Sequence, residues 1–194
     1  MPQLDLMPAA TAVGLLVQEV PDDRLGDPTP CPDYTVGDLV EHIGGLAVAF
    51  TAAAQKDLGA FTNSAPQPDA ARLTPDWRTR ISADLTALAV AWQQPEAWTG
   101  MTRAGGVDLP GEVGGLVALD EIVLHGWDLA VATGQGFQVE PDLLTAVHGF
   151  VASFDPDPDA QNRLFGPIVA VPGDAPLLDR VLGLAGRDPA WPRG

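Results

Sequence analysis

Glu121 and His125 are the two residues of this chain whose types and spacing most directly suggest chemistry. They lie four positions apart in Asp120-Glu121-Ile122-Val123-Leu124-His125-Gly126-Trp127-Asp128-Leu129-Ala130. On a helix, both side chains leave one face, one turn apart. A carboxylate oxygen and an imidazole nitrogen so placed can share one metal ion. The plainer alternative is an exposed ion pair worth roughly 0.2–0.5 kcal/mol. The turns on either side are apolar, and a carboxylate on a buried face needs a partner, because an uncompensated charge is costly to bury. Asp128, one turn beyond His125, is either the acceptor of the free ring N–H or a solvent-facing acid near a helix end. Trp127 is either a pocket wall or a core side chain.

The element that must carry this pair is a helix from about Gly111 to Thr133. Glu112 sits near its start, Leu116, Leu119, Ile122, Val123 and Leu129 recur at helical spacing, and Gly134 ends it. A second helix, from about Val36 to Lys56, opens on Thr35 as N-cap with Asp38 three residues on. Leu39, His42, Ile43, Leu46, Ala49, Phe50 and Ala53 mark its inner side. His42 there is either a core histidine or a third ligand. Gly44 and Gly45 follow it at about 1 kcal/mol each relative to alanine, which implies close approach of another helix or a ligand. Bundle interiors are where facing helices assemble metal sites. Two imidazoles and a carboxylate suit zinc or a similar ion, with a position left for water or substrate. A structural zinc site would need a fourth protein ligand, for which Cys31 is the obvious candidate. Cys31 itself reads as a small half-buried plug, since its sequence neighbours Asp27 and Asp33 are acidic rather than basic. His148 has no histidine or acid three or four places away and reads as surface or core.

The remaining elements frame these. A first helix runs from Leu4 to Val20 with Asp5 in its first turn, and Pro21 ends it. Pro21 to Thr35 is too proline-rich for a regular element. After the polar connection Asp57 to Leu73, Thr74-Pro75-Asp76 signals a third helix, reaching about Gln94. Trp98 to Pro110 changes to an alternating period around Ala104-Gly105-Gly106, a short hairpin. A fifth helix spans Pro141 to Phe154, Asp155 to Asp159 is a solvated linker, Phe165 to Pro172 an apolar strap, and Ala175 to Ala185 a last short helix. The expectation is an all-α, antiparallel four-helix bundle over about 1–135. It carries a β-hairpin before its fourth helix and a C-terminal helical extension over about 140–194, all within one domain, 1–194.

With 194 residues, 46% of them hydrophobic, the chain is globular. Its formal net charge of −16 repels phosphate backbones and anionic lipid, which argues against nucleic acid and membrane partners. A lone cysteine excludes an internal disulfide and suits a reducing compartment. Met1 to Val20 lacks Lys and Arg, unlike a signal peptide, and no apolar run of membrane-spanning length stands out. A cytoplasmic location is expected.

Two motifs together resemble a known family. Thr29-Pro30-Cys31-Pro32-Asp33-Tyr34-Thr35-Val36-Gly37-Asp38-Leu39-Val40-Glu41-His42-Ile43-Gly44-Gly45 looks like the first motif of the mycothiol-dependent maleylpyruvate isomerase group, within the DinB-like metal-binding bundles. Asp120 to Ala130, followed by Ala132-Thr133-Gly134-Gln135, looks like the second. The closing Phe165-Gly166-Pro167, Val171 to Pro176 and Gly186-Arg187-Asp188-Pro189-Ala190-Trp191 are similar to the tail of a compact actinobacterial subfamily. The resemblance implies metal ligands at His42, Glu121 and His125. The donor set makes zinc the expected metal, with nickel as the alternative, and the resemblance implies mycothiol as the thiol. The full isomerases carry a further C-terminal domain, for which too few residues follow Thr133. The sequence shows no position that matches their substrate-binding arginine. Three functions follow from the resemblance and the ligand set. One is a metal- and thiol-dependent transferase or isomerase acting on a small electrophile. A second is a hydrolase using metal-activated water. The third is a non-catalytic metal-binding bundle, open to pairing as a homodimer.

Overall fold

The computed structural model describes residues 3–154 and 165–192. Six helices and one hairpin follow in order. They are α1 (Met7–Glu19), α2 (Val36–Gln55), α3 (Trp77–Trp92), β1 (Met101–Ala104), β2 (Val107–Pro110), α4 (Gly111–Thr133), α5 (Pro141–Val151) and α6 (Leu177–Leu184). Helices α1 to α4 form the antiparallel four-helix bundle. Each of α1 and α2 packs against both α3 and α4, so α2 and α4 are neighbours. Helix α5 lies on α4, and α6 lies on α5. The expected linker Asp155 to Asp159 lies outside the described residues.

The ends of the helices account for most differences from the sequence reading. Helix α1 begins at Met7 rather than Leu4, and Asp5 stands outside its first turn, accepting the Met7 N–H at 3.0 Å. Helix α3 begins at Trp77, because Thr74 to Asp76 form a turn in which the Thr74 hydroxyl donates to Asp76 (2.7 Å). Helix α5 stops at Val151, three residues short of Phe154. The hairpin turns through Gly105 and Gly106, at φ 57° and 84°. Both central residues of such a two-residue turn need positive φ, which is why glycine occupies them.

Helix α2 opens on a full capping box. The Thr35 hydroxyl accepts from Asp38 N–H while Asp38 accepts from Thr35 N–H and Thr35 O–H. Asp38 also accepts the Ala70 N–H at 2.8 Å, tying the α2–α3 connection to the helix. Thr35→Ala is expected to cost about 1 kcal/mol, measured by urea unfolding. The Thr35 hydroxyl holds the Asp38 carboxyl below its ordinary range, with backbone donors of Ala70 and Thr35 adding to it against a smaller cost of burial. A carboxylate with a depressed folded pKa stabilises above its unfolded value and loses that contribution as pH falls through the folded one. The gap between wild type and Asp38→Asn should therefore be widest near neutral pH and shrink in acid.

The two mid-helix glycines beside His42 have separate explanations. A Cβ at Gly44 would lie 2.9 Å from Ile81 of α3, and one at Gly45 would lie 2.8 Å from Pro66. A helix and a loop approach there. Helix α2 is also long and apolar enough by composition to cross a membrane, at mean hydropathy 1.3, contrary to the sequence reading. Two thirds of that stretch is buried in the bundle, which is how a core helix passes the same measure.

Candidate metal centre

Helix α4 is buried on nearly every side between the bundle, α5 and the C-terminal segment, so the polar side chains it turns inward must find partners there. His125 and His42 are buried and Glu121 is half-buried. The two imidazoles meet edge to face, 5.1 Å between centres, where α2 passes α4. His125 Nε2 lies 3.1 Å from Glu121 Oε2. One ligand atom from each of His42, Glu121 and His125 lies within 4.8 Å of the others. Donors of one zinc ion stand only a few ångströms from one another, since each lies roughly 2.0–2.2 Å from the metal, and this separation is of that order. His42 Nδ1 is, moreover, buried with no hydrogen-bond partner among the described residues, an arrangement native interiors rarely leave unexplained. The donor set therefore fits a divalent ion.

The other side of the His125 ring faces a second cluster. Nδ1 lies 3.1 Å from Asp128 Oδ2, and Asp128 has no exposed side-chain surface. Asp128 also receives the Arg187 guanidinium as a fork, Nε to Oδ1 at 3.2 Å and Nη2 to Oδ2 at 3.0 Å. The Cys31 thiol donates to Asp128 Oδ2 at 3.2 Å and lies 3.9 Å from His125 Nδ1. Cys31 is thus more than a plug. Its sequence neighbours are acidic, but its spatial neighbours include Arg187 and His125. It sits on the Nδ1 side of His125, away from the Nε2 side shared with Glu121. It belongs to the group Cys31, His125, Asp128 and not to the group His42, Glu121, His125. The loop that presents it is held by Thr29, whose hydroxyl donates to the carbonyls of Cys31 and Tyr34.

The charges follow from these contacts. Burial pushes the His42 imidazole down to about 4, and the charge on His125 adds to that effect. His125 moves the other way. Burial opposes its charge, but hydrogen bonds to Asp128, Cys31 and Glu121 outweigh it and raise its pKa well above the ordinary range. Burial would raise the carboxyls of Glu121 and Asp128, yet His125 beside both, and Arg187 beside Asp128, hold them below the usual range. Burial raises the Cys31 thiol despite the hydrogen bond from His125, so it stays protonated. Asp120 is buried, its Oδ1 has no partner among the described residues, and its carboxyl is pushed well up by burial and by Glu121 next to it. Before an ion binds, these contacts favour a neutral His42 and a charged His125 between two carboxylates, and an ion taking Nε2 would displace the proton there.

Three features escaped the sequence reading. Tyr34 stands edge-on to His42 at 5.4 Å, walling the site from the α2 side. Arg187 reaches Asp128 from the C-terminal segment, 59 positions away, a separation no local pattern reveals. The position of Cys31 depends on loop geometry. Trp127, by contrast, is core, and His148 lies away from the cluster, 3.1 Å from Arg180 of α6.

Residues 6–130 match the family model described as the mycothiol maleylpyruvate isomerase N-terminal domain. The chain belongs to that family. The matched segment of the isomerase N-terminal domain includes Cys31, His42, Glu121, His125 and Asp128, and leaves Arg187 outside. An uncharacterised protein of Mycobacterium tuberculosis is 31% identical over 187 residues, covering 92% of this chain and 93% of its own. A second uncharacterised protein of that organism is 30% identical over 148 residues, 67% of this chain and 55% of its own. Among solved structures, the mycothiol-dependent maleylpyruvate isomerase shares the fold at TM-score 0.55 and 18% identity, over 74% of this chain. The present chain spans 65% of that enzyme's length. A histidine-to-alanine mutant of the enzyme matches with TM-score 0.54.

Proposed function

We propose that this chain is a divalent-metal enzyme of the mycothiol-linked isomerase type, using a small thiol to act on a small electrophile. The observation that carries this reading is the one-sidedness of the ligand set. Three donors gather at the Nε2 side of His125, while the only cysteine sits on its Nδ1 side, hydrogen-bonded to Asp128. Among the described residues no fourth protein ligand joins the group, and three ligands with an open position are the pattern of a catalytic site.

His42, Glu121 and His125 would hold the ion, with zinc the expected metal and nickel the second choice. When bound, a divalent ion supplies Lewis acidity, lowering the pKa of a thiol or water that reaches it. The chain's own residues do the rest. Asp128 keeps the proton on His125 Nδ1, so that Nε2 is the nitrogen offered to the site. Tyr34 shields the His42 face. The buried apolar surface of α4 keeps water from the back of the site, which strengthens the local electrostatics. Mycothiol is the proposed thiol, by family, and the cytoplasm the proposed location.

The test is a titration of the cobalt-substituted protein with mycothiol and with simple thiols. A new sulfur-to-cobalt charge-transfer band is expected, weakening as pH falls because protons compete for the sulfur. A spectrum unchanged at saturating thiol would refute the thiol-dependent reading. Chelation of the native protein is expected to lower the melting temperature while helicity is retained, since the apolar bundle faces persist without the ion. Circular dichroism with and without chelator checks this, and complete unfolding would instead assign the ion a structural role.

A further inference from the structure

Arg187 lies outside the segment that the family model matches, yet it makes the closest cationic contact in the site. Its position follows from the end of α6. Gly186 adopts φ +78° immediately after the helix, Gly186 N–H bonds the Gly183 carbonyl (3.2 Å), and Arg187 N–H bonds the Leu182 carbonyl (2.8 Å). That pair of bonds is the Schellman arrangement, which fixes the direction of the residue after the left-handed glycine. The strap fixes the helix end in turn. Val169 N–H bonds the Gly183 carbonyl at 2.9 Å, and a Cβ on Gly186 would lie 2.8 Å from the Gly166 backbone. Nη1 of Arg187 bonds the Ala185 carbonyl (3.1 Å), leaving Nε and Nη2 to grip both oxygens of Asp128. A planar guanidinium holding a carboxylate by two parallel bonds fixes its orientation, which a single bond does not.

We infer that Arg187 is a positioning residue for the metal centre: through Asp128 it sets the orientation of the His125 ring, so the C-terminal turn governs how tightly the three-donor site holds its ion. This rests on the reading of His42, Glu121 and His125 as ligands. Carboxylates that hold a ligating histidine by its other ring nitrogen are worth about 10–100-fold in metal affinity when lost. Arg187 acts one step further out, on the carboxylate itself.

The experiment measures cobalt affinity of the full metal-free chain by competition with a chromophoric chelator, together with the visible spectrum and the urea midpoint. The variants are Arg187→Gln, Arg187→Lys, Gly186→Ala and Arg180→Gln. Arg187→Gln should bind cobalt about 10-fold or more weaker, with a shifted ligand-field spectrum. Arg187→Lys should recover part of the loss, since it restores charge without the fork. Gly186→Ala, which keeps the arginine but displaces it, should fall between Arg187→Gln and wild type. Arg180→Gln, whose guanidinium contacts His148 instead, should match wild type. If Arg187→Gln does not fold, Arg187→Lys and Gly186→Ala decide by the same measurements. Wild-type affinity and spectrum in all folded Arg187 and Gly186 variants overturn the inference while leaving the ligand assignment standing. Failure of wild type itself to bind cobalt, or binding unaffected by His125→Ala, overturns the ligand assignment and the inference with it.

Discussion

Replacement of His42, Glu121 or His125 by alanine is expected to abolish stoichiometric metal, whereas His148→Ala leaves it intact. The three donors come from two helices and converge within 4.8 Å, so each deletion leaves two ligands that hold a divalent ion far more weakly than three. Glu121 is the most informative of the three. It carries the negative charge opposite the ion, and its loss leaves two imidazoles with no counter-charge on the Nε2 side of His125. His148 is engaged by Arg180 and stands apart from the group, so it serves as the control. Metal content per chain after exhaustive dialysis decides the matter. Loss of metal in His148→Ala with retention in Glu121→Ala would reverse the assignment.

Asp128→Ala is expected to destabilise the metal-free protein by about 3–5 kcal/mol. Its carboxylate has no exposed surface and accepts from His125, from Arg187 twice and from Cys31. Truncation leaves the Arg187 guanidinium, 14% exposed, without its counter-charge, and leaves His125 Nδ1 without its acceptor. Removal of one partner from a buried pair costs far more than replacing both by apolar groups of similar size. Asp128→Leu combined with Arg187→Met should therefore be more stable than Asp128→Ala alone. Urea denaturation of wild type, Asp128→Ala and the double variant forms the comparison. A cost within 1 kcal/mol for Asp128→Ala would mean that water reaches the pair freely.

The bundle was legible because its signals are local. The Thr35–Asp38 capping box, the Gly105-Gly106 turn and the glycine after Thr133 each act within a few residues of where they stand in the chain. Glu121 and His125 were legible for the same reason, since four residues on a helix fix their relation. His42 could be placed on an inward face by period, but its meeting with His125 required the packing of α2 on α4. Arg187 was not legible. Its role depends on α6 returning across α5, on the Gly166–Gly186 approach and on a Schellman turn aimed at α4. The partners of Cys31 were not legible because charge along the sequence differs from charge in space. Asp27 and Asp33 flank it in the chain, while Arg187 approaches to 4.0 Å from the far end of the molecule. The early start assigned to α1 and to α3 has a shared cause. Asp5 and Asp76 each engage a local donor before the first helical turn, and such side-chain bonds compete with helix extension.

The placement of the only cysteine has a practical consequence. Its sulfur is half-buried against a carboxylate gripped by the C-terminal arginine, so a thiol-reactive dye must wait for that contact to loosen. Because no other thiol competes for reagent, the labelling rate reports the opening frequency of one spot where loop, helix and chain end meet. The molecule carries its own clock for the fraying of its C-terminal turn, readable in a cuvette without introducing a probe residue.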